Sequence, residues 1–210
     1  MSKKVVVYGR DQASDDDVDF IDWAGEFGDQ YHERNLGAPS SLALFADILG
    51  STDNINSVIE FGAGGGRNLN AIGRLLPKAE LTGVEMNLNA VESMQQLPDI
   101  HTVHGSIFDW GDPVYDLTLT SGLLIHIDPA HLGLAYDILY QRSKRYICLI
   151  EYYNPTPVEV PYRGGILWKR DFAGEMMDVY GLKLVDYGFA YHRDTFKQND
   201  VTWFLMEKRT

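Results

Sequence analysis

One cysteine, Cys148, stands among 210 residues. It leaves no partner for an intramolecular disulfide and no thiolate set for structural zinc. Its surroundings, RYICLIEYY, read as a buried strand, so the thiol is expected to be inert core. Positive charge is scarce as well: 18 Lys and Arg face 30 Asp and Glu, a net charge of −12. Tight binding to a long nucleic acid draws on clustered Lys and Arg that displace phosphate counterions, so no such partner is expected. Small anions remain open, because one or two Arg serve them locally. No apolar run approaches the ~18 residues of a membrane span, and the three Val at 5–7 are too short a core for a secretory signal. A cytoplasmic protein is the simplest reading. With 45% apolar and 23% charged residues the chain has the composition of a folded globular protein, and at this length one domain is the default.

Residues 1–19 read as an extension: KKVVVYG is strand-like, and an Asp-rich run follows. The spacing of those Asp does not match a calcium loop, so a solvated surface or helix start is expected and no metal site. Between 20 and 35, Phe20, Trp23, Phe27 and Tyr31 fall at intervals of three and four, one face of a helix. A second helix is read over 40–49, stopped by Gly50. Strands at 57–62, 80–86, 101–106, 114–124 and 145–153 then alternate with helices at 68–76, 88–97 and 130–142. A helix at 169–180 and two strands, 182–192 and 201–208, close the chain. Alternation predicts an α/β fold, a parallel sheet covered on both faces, with an antiparallel edge from the last two strands. The stretch 154–168, with three Pro and two Gly, reads as a long irregular loop. Loops of that length in a compact domain are usually functional or disordered, and the Tyr and Trp in this one speak against disorder.

The strongest signal is VIEFGAGGGRNLNAI at 58–72. A strand runs into Gly62, Gly64, Gly65 and Gly66, and a helix starts near Asn68. Glycines allow the tight turn, and the helix start offers free N–H groups. Two cofactor classes use such a turn, dinucleotides and S-adenosylmethionine (SAM). The dinucleotide pattern G-x-G-x-x-G needs Gly at 67, which is Arg67. Glu60, two residues before the first Gly, suits a ligand with an ammonium and a sulfonium and would repel a pyrophosphate. The second strand ends in Glu85 and Met86, and a carboxylate there can accept from a ribose diol. The third ends HGSIFDW: Asp109 is placed to take an adenine amino proton, with Ile107 and Phe108 along the ring edge. The fourth opens at Ser121 and Gly122. The plainer readings are a ligand-free strand–helix turn, a surface Glu85 and a capping Asp109.

These pieces, ExGxGxG, an acid ending the second strand, G-x-x-x-D, and a strand leading into H-I-x-P, resemble the class I SAM-dependent methyltransferases over 57 to about 150. WAGEFGDQYHERN, EYYNPTPVEVPYRG and KRDFAGEMMD resemble more narrowly the methylases associated with pseudaminic acid biosynthesis, extending the likeness from about 20 to 208. The resemblance implies a Rossmann-like seven-stranded sheet in the order 3-2-1-4-5-7-6, strand 7 antiparallel, in one domain over 20–210. It implies a helical lid over 20–50, with Trp23, Phe27 and Tyr31 over the cofactor, or Tyr31 against its carboxylate; the plainer reading of Trp23 and Phe27 is ordinary helix core. Arg67 and Arg34 become candidates for the methionine carboxylate. The implied acceptor class is a sugar or nucleotide-sugar, which places the chain in carbohydrate biosynthesis.

Methyl transfer from a sulfonium is an in-line displacement, for which an enzyme supplies alignment and a base. His126, after the fourth strand, is the leading base candidate; Glu151, ending the fifth, is the second. Tyr152, Tyr153, Asn154, Tyr162 and Arg163 are expected to bind the acceptor, with Arg163 or Lys169 on a carboxylate or phosphate. Competing readings are a methyltransferase for a nucleobase, nucleotide or protein group, a SAM-binding subunit without activity, and a nicotinamide oxidoreductase, which Arg67 and Glu60 disfavour.

Overall fold

The computed structural model describes residues 22–109, 111, 113–163 and 165–209. The 1–19 extension, with its strand-like and Asp-rich parts, and Phe20 lie outside the described residues. Helix α1 spans Glu26–Asn35 and α2 Leu42–Gly50. Then come β1 Ser57–Phe61, α3 Arg67–Leu75, β2 Glu80–Glu85, α4 Leu88–Met94, β3 Ile100–His104 and β4 Tyr115–Ser121. They are followed by α5 Leu132–Arg142, β5 Ser143–Glu151, β6 Val158–Tyr162, β7 Gly165–Lys169, α6 Phe172–Tyr180, β8 Lys183–Ala190 and β9 Val201–Glu207.

Seven strands form one sheet in the order β3-β2-β1-β4-β5-β9-β8. The first five are parallel, and β9 runs antiparallel to both neighbours. With the β6–β7 pair set aside, this is the order and the antiparallel strand that the resemblance implies. β1 is buried along its whole length and β5 almost so, as strands covered on both faces must be. Along β5 the side chains alternate between two cores. Ile147 and Leu149 face Phe172 and Met176 of α6 and Leu139 of α5, whereas Cys148 and Ile150 face Phe45 of α2 and Leu69 of α3. Cys148 is fully buried and burial raises its thiol pKa, in keeping with an inert core group.

Three expectations change. Helix α1 starts at Glu26 instead of 20, because Asp22–Gly25 forms a turn closed by Gly25 N–H to Asp22 O at 3.3 Å. β4 stops at Ser121, because Gly122 takes φ +67° and diverts the chain into a 3-10 turn, Leu124–His126. The stretch 154–168 is not irregular. It holds an antiparallel ribbon, β6–β7, closed at Tyr162–Gly165 with Arg163 at φ +47°. Pro161 is tolerated because a two-stranded ribbon is all edge, where a missing N–H costs little. Leu167 of β7 is buried and packs into the α5–α6 core. Among the described residues no helix is long and apolar enough to cross a membrane.

Gly83 in β2 lets helices α3 and α4 pack closely on the sheet. A Cβ there would meet the Met94 sulfur, and would lie 2.9 Å from Leu69 Cδ1, both side chains being fully buried. Gly83→Ala is expected to destabilise the fold by about 1–3 kcal/mol through overpacking. Urea unfolding checks this; an unchanged midpoint would show that α4 moves off freely.

Candidate active site

The turn after β1 is built by positive φ at Gly62 (+72°), Gly64 (+53°) and Gly66 (+78°). The N–H groups of Gly62 and Ala63 both donate to Val84 O, at 2.9 and 3.1 Å, which fastens the turn to β2. Gly66 is the N-cap of α3 and has no side chain to bond the helix's leading N–H groups, so these are open to a ligand. Glu85, ending β2, closes the other wall. Its Oε2 accepts from Gly64 N–H at 2.8 Å and its Oε1 from Met86 and Asn87 N–H, each at 2.8 Å. A carboxylate has about four lone-pair sites, so a site remains for a further donor.

Under the turn lies a buried relay. Ser41 Oγ donates to Asn68 Oδ1 at 2.8 Å, and Asn68 Nδ2 donates to Glu60 Oε1 at 2.7 Å. Glu60 is 1% exposed, and its Oε2 has no partner among the described residues. Burial raises its pKa to about 8, against the lowering by Asn68 and by the Arg67 guanidinium nearby. The acid that the sequence offered as an anion is therefore neutral at pH 7 in the protein alone. Tyr31 of α1 reaches the same neighbourhood: burial and then the Tyr162 phenol raise its pKa, while Arg67 lowers it. Arg34 lies instead over the rings of Phe27 and Tyr31, 5.9 Å from each centroid. Arg67 and not Arg34 shares the floor with Glu60.

The third wall follows β3. Ile107–Asp109 forms a 3-10 turn in which Asp109 Oδ2 accepts from Ser106 N–H at 3.1 Å, so Asp109 caps its own turn. Ile107 is buried, and the Phe108 ring lies 6.3 Å from that of His131. Ser121 ends β4, and Gly122 N–H donates to Ile150 O at 2.9 Å.

His126 stands on the 3-10 turn after β4 inside an aromatic cluster drawn from three separate segments. Its ring centroid lies 4.5 Å from that of Trp23 and 5.4 Å from that of Tyr162, at the tip of the β6–β7 ribbon. Trp23 also touches Phe27 and Tyr31, at 5.0 and 5.1 Å. Burial pushes the His126 pKa down to about 4, so the imidazole is neutral at pH 7. His126 Nδ1 and Trp23 Nε1 are both buried without a partner among the described residues. Glu151 is 3% exposed and lies against the backbone of the His126 turn, with burial raising its pKa to about 7.

The candidate acceptor residues divide. Tyr152, with Lys169 Nζ 5.0 Å from its ring centroid, and Tyr162, with the Arg163 guanidinium 5.9 Å from its own, stay on the crevice side. Tyr153 pairs with Phe204 of β9 at 5.8 Å, and Asn154 Nδ2 donates to Thr156 O at 2.6 Å, which makes it a turn residue. Sequence reasoning missed a latch. Asn87 Nδ2 donates to Asp29 Oδ1 at 2.8 Å, and His32 Nε2 lies 2.7 Å from Ser93 Oγ, so α1 is docked on α4 beside the glycine turn. Only the role of Asn87 as N-cap of α4, accepting from Ala90 N–H, carried a signal in sequence. A groove of about 430 Å³ among Ser57, Glu80, Asp99, His101 and Lys144 opens at the amino ends of the strands, the end opposite to where α/β sheets take ligands.

Neither a protein-family model nor a curated protein sequence matches the chain. Solved structures do. A Burkholderia thailandensis 1,6-didemethyltoxoflavin-N1-methyltransferase, crystallised with that compound and S-adenosylhomocysteine, superposes with a TM-score of 0.67 at 14% identity, covering 88% of this chain and 86% of that one. The fold is that of the class I SAM-dependent methyltransferases. The glycopeptide N-methyltransferase MtfA with sinefungin gives a TM-score of 0.64 at 12% identity, covering 83% of this chain and 89% of that one. SAM-bound CalS10, an amino pentose methyltransferase from Micromonospora echinaspora, gives 0.63 at 13% identity, covering 87% and 96%.

Glu60 links the site to stability. Its folded pKa of about 8 lies above the ordinary value of 4.5, so the stability it contributes is full below about pH 4.5 and is lost as pH rises through about 8. Glu60→Gln keeps an oxygen for Asn68 and carries no ionisable group. In the protein without ligand, the variant is expected to gain on the wild type steadily between pH 5 and pH 8.5 in thermal melts. A difference that stays flat with pH would mean that Glu60 ionises normally.

Proposed function

We propose that the chain binds SAM at the carboxyl ends of β1 to β4 and transfers its methyl group to a hydroxyl or amine of a small acceptor, a sugar or nucleotide-sugar. The observation that carries this is the turn at Gly62–Gly66 bonded through Gly64 N–H to the Glu85 carboxylate, on the fold described above. The donor set suits the ligand. Glu85 has a lone pair to spare for a ribose diol, and the start of α3 with Arg67 suits a carboxylate. The partnerless Glu60 Oε2 suits an ammonium, whose charge would favour the ionised acid. Asp109, Ile107 and Phe108 border the place for an adenine, with Met86 alongside, and Ser121 and Gly122 line the floor. Trp23 and Tyr31 of the lid segment cover it.

SAM supplies an electrophilic methyl group on a sulfonium. The work left to the protein is to align the acceptor and receive its proton. A neutral His126 can accept that proton at neutral pH. Tyr162 and Tyr152 offer ring faces to a sugar, and Lys169 and Arg163 offer charge to an acidic group on it. Tyr153 and Asn154, which lead into the ribbon, complete the set of candidate acceptor contacts. The sugar class is supported by the N-terminal and 151–164 segments that resemble the pseudaminic-acid-associated methylases. It is also supported by the likeness to an amino pentose methyltransferase. The net charge of −12 supports a small acceptor over a long nucleic acid.

Calorimetric titration with SAM, S-adenosylhomocysteine and NAD tests the cofactor. SAM and its product are expected to bind, NAD not, and Glu85→Ala to weaken SAM at least about tenfold by loss of charge-assisted hydrogen bonds. NAD binding without SAM binding would end the reading. His126→Ala is expected to lower kcat about 10²-fold, the usual contribution of a general base, with SAM affinity unchanged. Labelled methyl transfer to sugar and nucleotide-sugar acceptors reads it out. Normal turnover in that variant would remove the base role.

A further inference from the structure

Glu151 ends β5 at the point where β4 breaks into the His126 turn. Alternation along β5 puts Leu149 and Glu151 on the α5–α6 face and Ile150 on the other. The carboxyl group is therefore carried beneath the turn and away from solvent, at 3% exposure. Its Oε1 accepts from Leu123 N–H at 3.1 Å and from Leu124 N–H at 3.2 Å. These are the leading donors of the 3-10 turn Leu124–His126, and leading donors have no partner within their own turn. One residue earlier, Gly122 N–H donates to Ile150 O at 2.9 Å. The end of β5 thus grips the turn at three successive N–H groups, two of them through a single side-chain oxygen.

His126 itself has no such anchor. Its Nδ1 has no partner among the described residues, and its ring is bounded by Trp23 and Tyr162, which belong to other segments. The direction of the imidazole is therefore set by the turn together with those two rings, and the turn is anchored by Glu151. A direct proton-accepting role suits Glu151 poorly: it is covered, its Oε1 is already bonded twice, and its Oε2, without a partner among the described residues, is itself buried away from an acceptor. A plain packing role suits it poorly too, because an apolar side chain would fill the space but leave two buried N–H groups without an acceptor.

We propose that Glu151 is a positioning residue: its carboxylate fixes the Leu124–His126 turn so that the imidazole of His126 meets the acceptor, and it receives no proton from the acceptor itself. This rests on the methyl-transfer reading of His126. It gives Glu151, which sequence reasoning ranked as an alternative base, a different task.

Three variants and one spectrum test it. Glu151→Ala is expected to lower kcat at least about tenfold, as small misplacements of a reacting group do, with acceptor KM and SAM affinity within about twofold of wild type. Glu151→Gln keeps an oxygen for both N–H groups and is expected to restore kcat to within about threefold. Adding Glu151→Ala to His126→Ala is expected to cost less than about twofold more, since residues acting as a unit are not additive. Should Glu151→Ala fail to fold, Glu151→Asp, one methylene short of the turn, replaces it with the same expectations. A Gln variant as slow as Ala, or a fully additive double variant, would overturn the proposal. The His126 imidazole resonance gives a reading independent of turnover: Glu151→Ala should shift or broaden it in the protein alone, and Glu151→Gln should not. An unmoved signal in Glu151→Ala overturns the positioning role. A wild type that transfers no methyl group while this signal behaves as expected rejects the methyl-transfer reading instead.

Discussion

One carboxylate joins the parts of the crevice. Glu85 accepts from Gly64 in the turn after β1 and from Met86 and Asn87 in the turn after β2, so two neighbouring strand ends are held as a unit by charge-assisted bonds. Asn87 then caps α4 with its side-chain oxygen and reaches Asp29 of α1 with its amide nitrogen. The docking of α1, and with it the placing of Phe27 and Tyr31, therefore runs back to Glu85. Without that anchor the glycine turn would still have its backbone bonds to Val84 and α1 its contact through His32 and Ser93, but Asn87 would lose the bond that fixes its backbone.

The titratable groups deepest in the site share one electrostatic condition. Burial holds Glu60 and His126 in their uncharged forms at neutral pH, from opposite directions. Such an interior carries little charge of its own while remaining rich in donors and acceptors with capacity left over. A charged ligand entering it meets groups that respond to its charge by gaining or losing protons.

Much of this fold is legible in the sequence, because periodicity and breakers act locally. The buried run of β1, the glycines after it and the helix that follows are contiguous, and each is specified by neighbours within a few residues. Glu85 is legible for the same reason, as an acid ending a strand. The β6–β7 ribbon was hidden by Pro161 and Gly165, which weaken a strand inside a sheet but are harmless in an isolated pair. The end of β4 was hidden because SGLLIHI is apolar enough to continue as strand; only the φ of Gly122 reveals the change of course. The Asn87–Asp29 bond and the grip of Glu151 on Leu123 and Leu124 join residues 58 and about 28 positions apart. Nothing local encodes such pairs, and only the assembled sheet brings them together.

The β6–β7 ribbon forms a separate two-stranded sheet and shares no ladder with the seven-stranded one. It hangs between β5 and α6 as a single continuous piece of chain, with Tyr162 at its tip against His126. Lengthening the ribbon at its tip would therefore leave every register of the main sheet as it is, while Leu167 moors its second strand to the α5–α6 core.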